Sequence, residues 1–206
     1  MQESIWTATL AAFASDLAGP QPSPAAGSAA SVSARLAVSL LIKVLEIAKK
    51  RKPAAGDGTQ LDALIQAARI ESEVMAKASD EDGTAFAEYL DRIRKKADEK
   101  TVHAAMLRAI EVPMTAARSS ARALALSREA VPLVPTFIAA DLGAAVLLLS
   151  GAIRALLITV DYNLRQLTAD RSDLAAERVQ LAAERVQLDE QSQTQTDAII
   201  RELRLK

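Results

Sequence analysis

The sequence predicts an all-α protein, and three observations carry that expectation. Half of the 206 residues are hydrophobic but only 3% are aromatic, so the apolar mass is Ala, Leu, Val and Ile, small side chains suited to close helix–helix contact. Apolar residues recur at helical spacing, and no stretch shows the strict alternation of a half-buried strand. The seven Gly and seven Pro fall mostly in clusters that punctuate the helical runs. At this length one substantial domain is expected, not two comfortable ones.

The first helix is expected from Glu3 to Ala18, with Ile5, Thr9, Ala12, Phe13 and Leu17 on one side. The run from Gly19 to Gly27 breaks it. A second, almost wholly apolar helix runs from about Ser28 to Lys49, with Ser31, Arg35, Ser39 and Lys43 as its polar stripe, and Lys49 to Gly58 forms a basic loop. A third helix is expected over Thr59–Ala78, a fourth over Glu81–Ala97 and a fifth over Thr101–Ser127, where Pro113 predicts a bend. A proline-bounded connection leads to a sixth, Phe137–Ala169, about 50 Å long. Its polar side is expected at Ser150, Arg154, Asp161 and Arg165, and its packed side at Asp141, Leu148, Ala152, Thr159 and Asn163.

The tail repeats itself: LAAERVQ-LAAERVQ-L from Leu174 to Leu188. Leu174, Ala175, Val179, Leu181, Ala182, Val186 and Leu188 share a broad apolar arc, but Arg178 and Arg185 interrupt strict coiled-coil spacing. This predicts an amphipathic helix lying on its own bundle or on a second subunit. The expected organisation is therefore a helical domain over 1–170 and an amphipathic C-terminal helix over 171–206, about six to seven helices in all. With more apolar helix surface than polar stripes to cover it, the chain is expected to form a homodimer.

Charge and composition exclude several functions. Twenty-five basic residues against 26 acidic ones leave no basic field for nucleic acid. Without Cys there is no thiolate nucleophile or Cys-based zinc site, and one His makes a histidine-built metal site in one chain unexpected. The N-terminus lacks the basic start of a signal peptide, and the charge-free run Leu142–Ile153 is too short to cross a bilayer, so no membrane insertion and a cytoplasmic location are expected. Carboxylates, Lys, Arg, Ser, Thr, Tyr and Asn remain to carry chemistry.

Asp141 reads either as a first-turn residue behind a Thr136 cap or, with Asn163, as part of a cleft. Ser79 and Asp82 have capping-box spacing, which explains them structurally before any catalytic role. The turn before Ser28 is explained by helix ending and capping, and would equally suit an anionic ligand group. His103 and the basic run Lys49–Lys52 read as solvated surface.

Taken in order, these pieces resemble the C-terminal domain family of formiminotransferase-cyclodeaminases, which includes bacterial methenyltetrahydrofolate cyclohydrolases. Its Pro-x-Pro-Gly-Gly-Gly-Ser-Ala-Ala turn is similar to Pro22-Ser23-Pro24-Ala25-Ala26-Gly27-Ser28-Ala29-Ala30. Asp82-Gly83-Thr84-Ala85-Phe86 resembles its Asp-x-x-Ala-Phe element, and Val112-Pro113-Met114 its Val-Pro-Leu step. Ala140-Asp141-Leu142-Gly143-Ala144-Ala145, followed by Thr159 and Asn163, resembles its last motif. Departures are Ala25 and Ala26 for two glycines, Ala140 for a serine and Thr159 for an asparagine.

The resemblance implies a dimeric helical bundle acting at the carbon bridging N5 and N10 of tetrahydrofolate, with a folate derivative as substrate and no tightly bound cofactor. It implies Asp82 as catalytic acid/base, Asp141 as its companion, and Ser23, Gly27, Ser28 and Asn163 as substrate-binding residues. The replaced glycines predict a turn compromised at two positions. A catalytically inactive or repurposed member, binding a ligand or protein through the same cleft, is the alternative; a membrane-associated bundle is a third and weaker reading.

Overall fold

The computed structural model describes residues 4–51, 56–167 and 172–204, with side chains of the last helix from residue 176 onward. Among them are six α-helices and no strand: α1 (Leu10–Leu17), α2 (Ala26–Lys50), α3 (Asp57–Arg94), α4 (Glu99–Ala130), α5 (Ala139–Gln166) and α6 (Ser172–Arg204). Helices α2 to α5 close a ring in which α2 and α4 each pack on both α3 and α5, and α6 lies across α4 and α5. The core of this one domain is built from side chains such as Leu41, Met75, Ile110 and Leu149. The tail helix thus lies on its own bundle; the expected boundary at 170/171 falls outside the described residues.

The first helix differs from expectation. Ile5–Thr7 form a 3-10 turn, and Thr9 in extended conformation starts α1 by accepting from the N–H of Ala12. Its expected single apolar face therefore does not exist, and α1 buries none of its residues.

The expected third and fourth helices are one, α3, 38 residues and about 57 Å long. The capping side chains are spent elsewhere. Ser79 is buried and donates to the Ala76 carbonyl at 2.7 Å, while Asp82 turns to another helix. With no side chain capping a new start, the backbone ladder continues through Gly83. Helix α3 ends where Lys96 adopts a left-handed conformation (φ 50°), and Asp98 then caps α4 by accepting from Thr101 N and Oγ.

Pro113 lies inside α4, where it cannot donate the usual bond to the carbonyl four residues earlier. That carbonyl, on Ala109, instead accepts from Asn163 Nδ2 of α5 at 2.8 Å. Helix α4 continues because another helix satisfies the group that proline leaves open. Beside it, buried Glu71 on α3 is gripped by the Arg122 fork at 2.7 and 2.8 Å and by Ser119 Oγ at 2.7 Å. Nothing in the linear spacing marks that cluster.

Helix α5 begins after a 3-10 turn at Thr136–Ile138, so Thr136 does not cap it. Its two sides match expectation in part: Arg154 and Arg165 are exposed and Ala152 and Asn163 are buried, but Ser150 is buried and Leu148 faces solvent beside Leu147, Ile158 and Tyr162. In α6, Leu181 is buried, yet Val179, Ala182 and Val186 are exposed, so the apolar arc is narrower than predicted; Leu174 and Ala175 lie outside the described side chains. Glu184 holds α6 to α4 through both arms of Arg118, at 2.6 and 2.8 Å, and Arg185 reaches Asp161 of α5 at 2.9 Å.

Replacing Asn163 by Leu leaves the Ala109 carbonyl buried and unpaired, at a cost of ~1–3 kcal/mol. The expected Tm drop is several degrees. Adding Pro113→Ala, which restores the intrahelical donor, should recover most of it; a double variant no more stable than Asn163→Leu would disprove the pairing as the source of the loss.

Candidate functional site

Four of the predicted site residues meet where the segment before α2 lies against the middle of α3. Asp82 Oδ2 accepts from Ser28 N at 2.9 Å and from Ser28 Oγ at 3.1 Å. The carboxylate thereby caps α2 from outside, because the residue at its N-cap, Ala25, has no side-chain oxygen to offer. The expected capping role of Asp82 is real in kind but serves α2, not its own helix.

Two glycines make the approach possible. A Cβ on Gly27 would fall within the Asp82 carboxylate, 2.7 Å from Oδ2, and a Cβ on Gly83 would collide with Ser23, 2.9 Å from its Cβ. Neither Ala25 nor Ala26 has a positive φ, and Ala25 is extended (φ −135°, ψ −161°). The turn that replaces two glycines by alanine therefore keeps an ordinary backbone, with glycine retained at the position of closest contact. The expected compromise at 25 and 26 is not found. The Ser23–Pro24 peptide is cis.

Burial pushes the Asp82 carboxyl above its ordinary value, and the two Ser28 bonds pull back only in part. Such a group keeps its proton further towards neutral pH than a solvated aspartate.

A cavity of about 830 Å3 opens beside this contact, walled by Ser23 and Pro24, by Ser79, Asp80 and Thr84 of α3, and by Arg108 of α4. Asp82 is not among its lining residues. Glu81 of α3 and the N-terminal segment supply the rest of the wall, and that segment is tied down by residues the sequence did not single out. Asp80 accepts from Ser4 Oγ at 2.7 Å and from Ile5 N at 2.8 Å. Trp6 donates its indole N–H to Ser79 Oγ at 2.9 Å and lies under the Arg35 guanidinium, 4.0 Å from the ring centre. The lone tryptophan and the acidic run around Asp82 were the available signals, but only the fold brings them together. Arg108, held by Glu88 at 3.0 Å, also borders the clefts on either side.

The other predicted residues lie elsewhere. Asp141 is paired with Lys43 at 2.7 Å and is partly solvated. Ser28 and Lys43, the respective partners of Asp82 and Asp141, stand about 22 Å apart along α2. The two carboxylates therefore share no hollow within one chain. Asn163 is buried between α5 and α4 and borders no cavity wall near Asp82. His103 is half-buried, not freely solvated, with Nε2 enclosed and unpartnered. Among the described residues no three His, Asp or Glu side chains group as metal ligands.

Residues 9–182 match the model of the formiminotransferase-cyclodeaminase family. The chain belongs to that family. The match takes in the turn before α2, α3 with Asp82, α4 with Pro113, and α5. The crystal structure of formiminotetrahydrofolate cyclodeaminase from Thermotoga maritima superposes with a TM-score of 0.82 at 17% identity, covering 97% of this chain and 95% of that one. At that identity the likeness establishes a shared fold. No curated protein matches the chain significantly.

The close contact predicts a paired effect. Gly83→Ala gains helix propensity but drives a methyl into Ser23, and overpacking of this kind costs ~1–3 kcal/mol. Its Tm should fall, and Ser23→Gly, which removes the colliding atoms, should restore it; equal losses with and without Ser23→Gly would refute the contact. Asp80→Ala should release the N-terminal segment, read as a red shift of Trp6 emission in a protein of unchanged helicity.

Proposed function

We propose that the protein is a folate one-carbon enzyme of the cyclodeaminase or methenyltetrahydrofolate cyclohydrolase type, with Asp82 as its acid/base. The observation that carries this reading is a desolvated carboxyl, its proton held towards neutral pH, placed by Ser28 beside a cavity of about 830 Å3. In cyclodeamination, N10 of formimino-tetrahydrofolate attacks the formimino carbon and ammonia leaves; in the hydrolase reaction, water adds to the methenyl carbon and the ring opens. Either sequence needs one group that gives and takes a proton next to that carbon. Ser23, Gly27 and Ser28 are the proposed substrate-side residues. Asp141 and Asn163 lie away from Asp82 within one chain, and the proposed acid/base step uses Asp82 alone.

A second reading rests on a specific observation. Both Asp82 oxygens face the start of α2, and Asp82 does not line the cavity. That is the arrangement of a structural cap, and it favours a non-catalytic helical module that binds a folate-type ligand or a protein through the same cleft.

Turnover separates the two. The enzyme reading expects loss of methenyl-tetrahydrofolate absorbance or ammonia release from formimino-tetrahydrofolate, with Asp82→Asn slower by ~10²–10⁴-fold. Folded protein that turns over neither compound would end that reading; thermal stabilisation by folate without turnover would support the module.

Asp82 also predicts a pH-dependent trade-off. Because its folded pKa is raised, the stability it contributes is complete below the unfolded value near 3.8 and is lost as pH rises through the folded one. Asp82→Asn cannot ionise, so its stability relative to the parent should improve across that interval. A Tm difference that stays constant from pH 3 to 7 would contradict the burial argument.

A further inference from the structure

A second cavity, of about 290 Å3, opens between the last turns of α3, the first turns of α4 and the end of α5. Its volume is at the small end of ligand sites, ~300–1,000 Å3. It shares no lining residue with the cavity beside Asp82, and Tyr89 on its wall stands about 10 Å further along α3 than Asp82. The walls are mostly apolar. Val102, Met106 and Leu167 form them, and Ile93, 47% exposed, stands at the mouth.

Tyr89 supplies a second, independent observation. It is only 9% exposed, yet its hydroxyl makes no hydrogen bond with any described residue and is not sealed among protein atoms. The open space that Tyr89 borders is this cavity. Burial pushes its phenol above the ordinary value, with no hydrogen bond to offset the rise, so at neutral pH the group is a donor. A buried hydroxyl without a partner costs free energy that an occupant's acceptor recovers. His103 lines the cavity too, but its Nε2 is sealed and lies out of an occupant's reach. Among the described residues no Lys or Arg lines the cavity, and Glu99 is its one acidic side chain. An anion would leave water with no cation there to receive it.

We infer that this cavity is a second ligand site, taking an uncharged one-ring aromatic molecule whose carbonyl oxygen accepts from the Tyr89 hydroxyl. The rings of Tyr89 and His103 and the Met106 thioether suit a flat π-system, and the volume limits it to one ring with a short substituent. The site stands apart from the reaction proposed for Asp82: neither the residues that cap α2 nor those that hold the N-terminal segment line it. Because α3, α4 and α5 each contribute to the wall, an occupant fastens three helices together at this end of the bundle. A ligand of the folded chain alone raises its stability.

The probe is benzamide, with benzoate as its charged counterpart and toluene as the analogue without an acceptor, each titrated into the full chain by calorimetry. For a molecule this small a benzamide Kd on the order of 0.1–1 mM is expected, saturating one site and raising Tm. Benzoate and toluene should each bind about fivefold more weakly or worse. Tyr89→Phe removes only an unpaired hydroxyl. Its Tm without ligand should therefore be kept or raised, while benzamide affinity falls about 5–10-fold and toluene affinity does not change. A tyrosine with a structural role alone would show the reverse, a lower Tm and no selective loss. Ile93→Trp, at a half-exposed position, should fill the mouth and abolish binding at unchanged helicity. Absence of saturable benzamide binding up to about 5 mM overturns the inference. So does binding that both substitutions leave untouched, and so does benzoate or toluene binding as tightly as benzamide.

Discussion

The closeness of the Ser23–Ser28 segment to α3 is the constraint on which the rest of the site depends. Two backbones pass with no room for a methyl group at either residue 27 or residue 83, and this proximity lets one aspartate serve as the cap of another helix. Remove the contact and α2 loses the carboxylate that accepts from its first turn, while Asp82 returns to water and to an ordinary acidity. Position, protonation and helix start are thus one interaction described three ways. This also explains why alanine is accepted at 25 and 26 and not at 27: the demand is steric, made by a carboxylate, and no left-handed backbone is involved.

Much of the fold was legible because helical periodicity and sparse breakers are local signals, and α2, α4 and α5 lie close to where they predict. The missing break inside α3 has a definite cause. Ser79 and Asp82 carry side chains that cap helices when nothing else claims them, and spacing cannot reveal a competing claim. Trp6 claims Ser79 and Ser28 claims Asp82, so α3 runs through a point that reads as a boundary. The site was half legible for the same reason. Residues near each other in the motifs, Ser23 to Ser28 and Asp82, converge in space. Asp141 and Asn163 were joined to them by family order alone, and tertiary packing sends each to a different partner.

Asn163 illustrates how a polar residue in a family-like motif can answer a structural demand. Proline in α4 creates an unsatisfied carbonyl, and an amide from α5 fills it. The two family motifs that contain these residues interlock directly, which ties the register of α4 to that of α5. The polar residues that matter most around the cavity, Asp80 and Trp6, act instead by holding a terminal segment, work that has no periodic signature.

The tandem heptads of α6 raise a problem of identity. Two successive copies offer the same Leu, Glu and Arg, and a helix displaced by seven residues would present Glu177 and Arg178 where Glu184 and Arg185 now sit. What breaks the degeneracy lies beyond the repeat. Ile199 is wholly enclosed, and the residue seven places earlier is Ser192; Leu203 packs on the core, and its counterpart is Thr196. Sliding by one unit would seat a hydroxyl in each of those apolar sockets. The last turns of the chain thus act as a key that admits a single alignment, and the duplicated segment keeps its chemical redundancy without structural ambiguity.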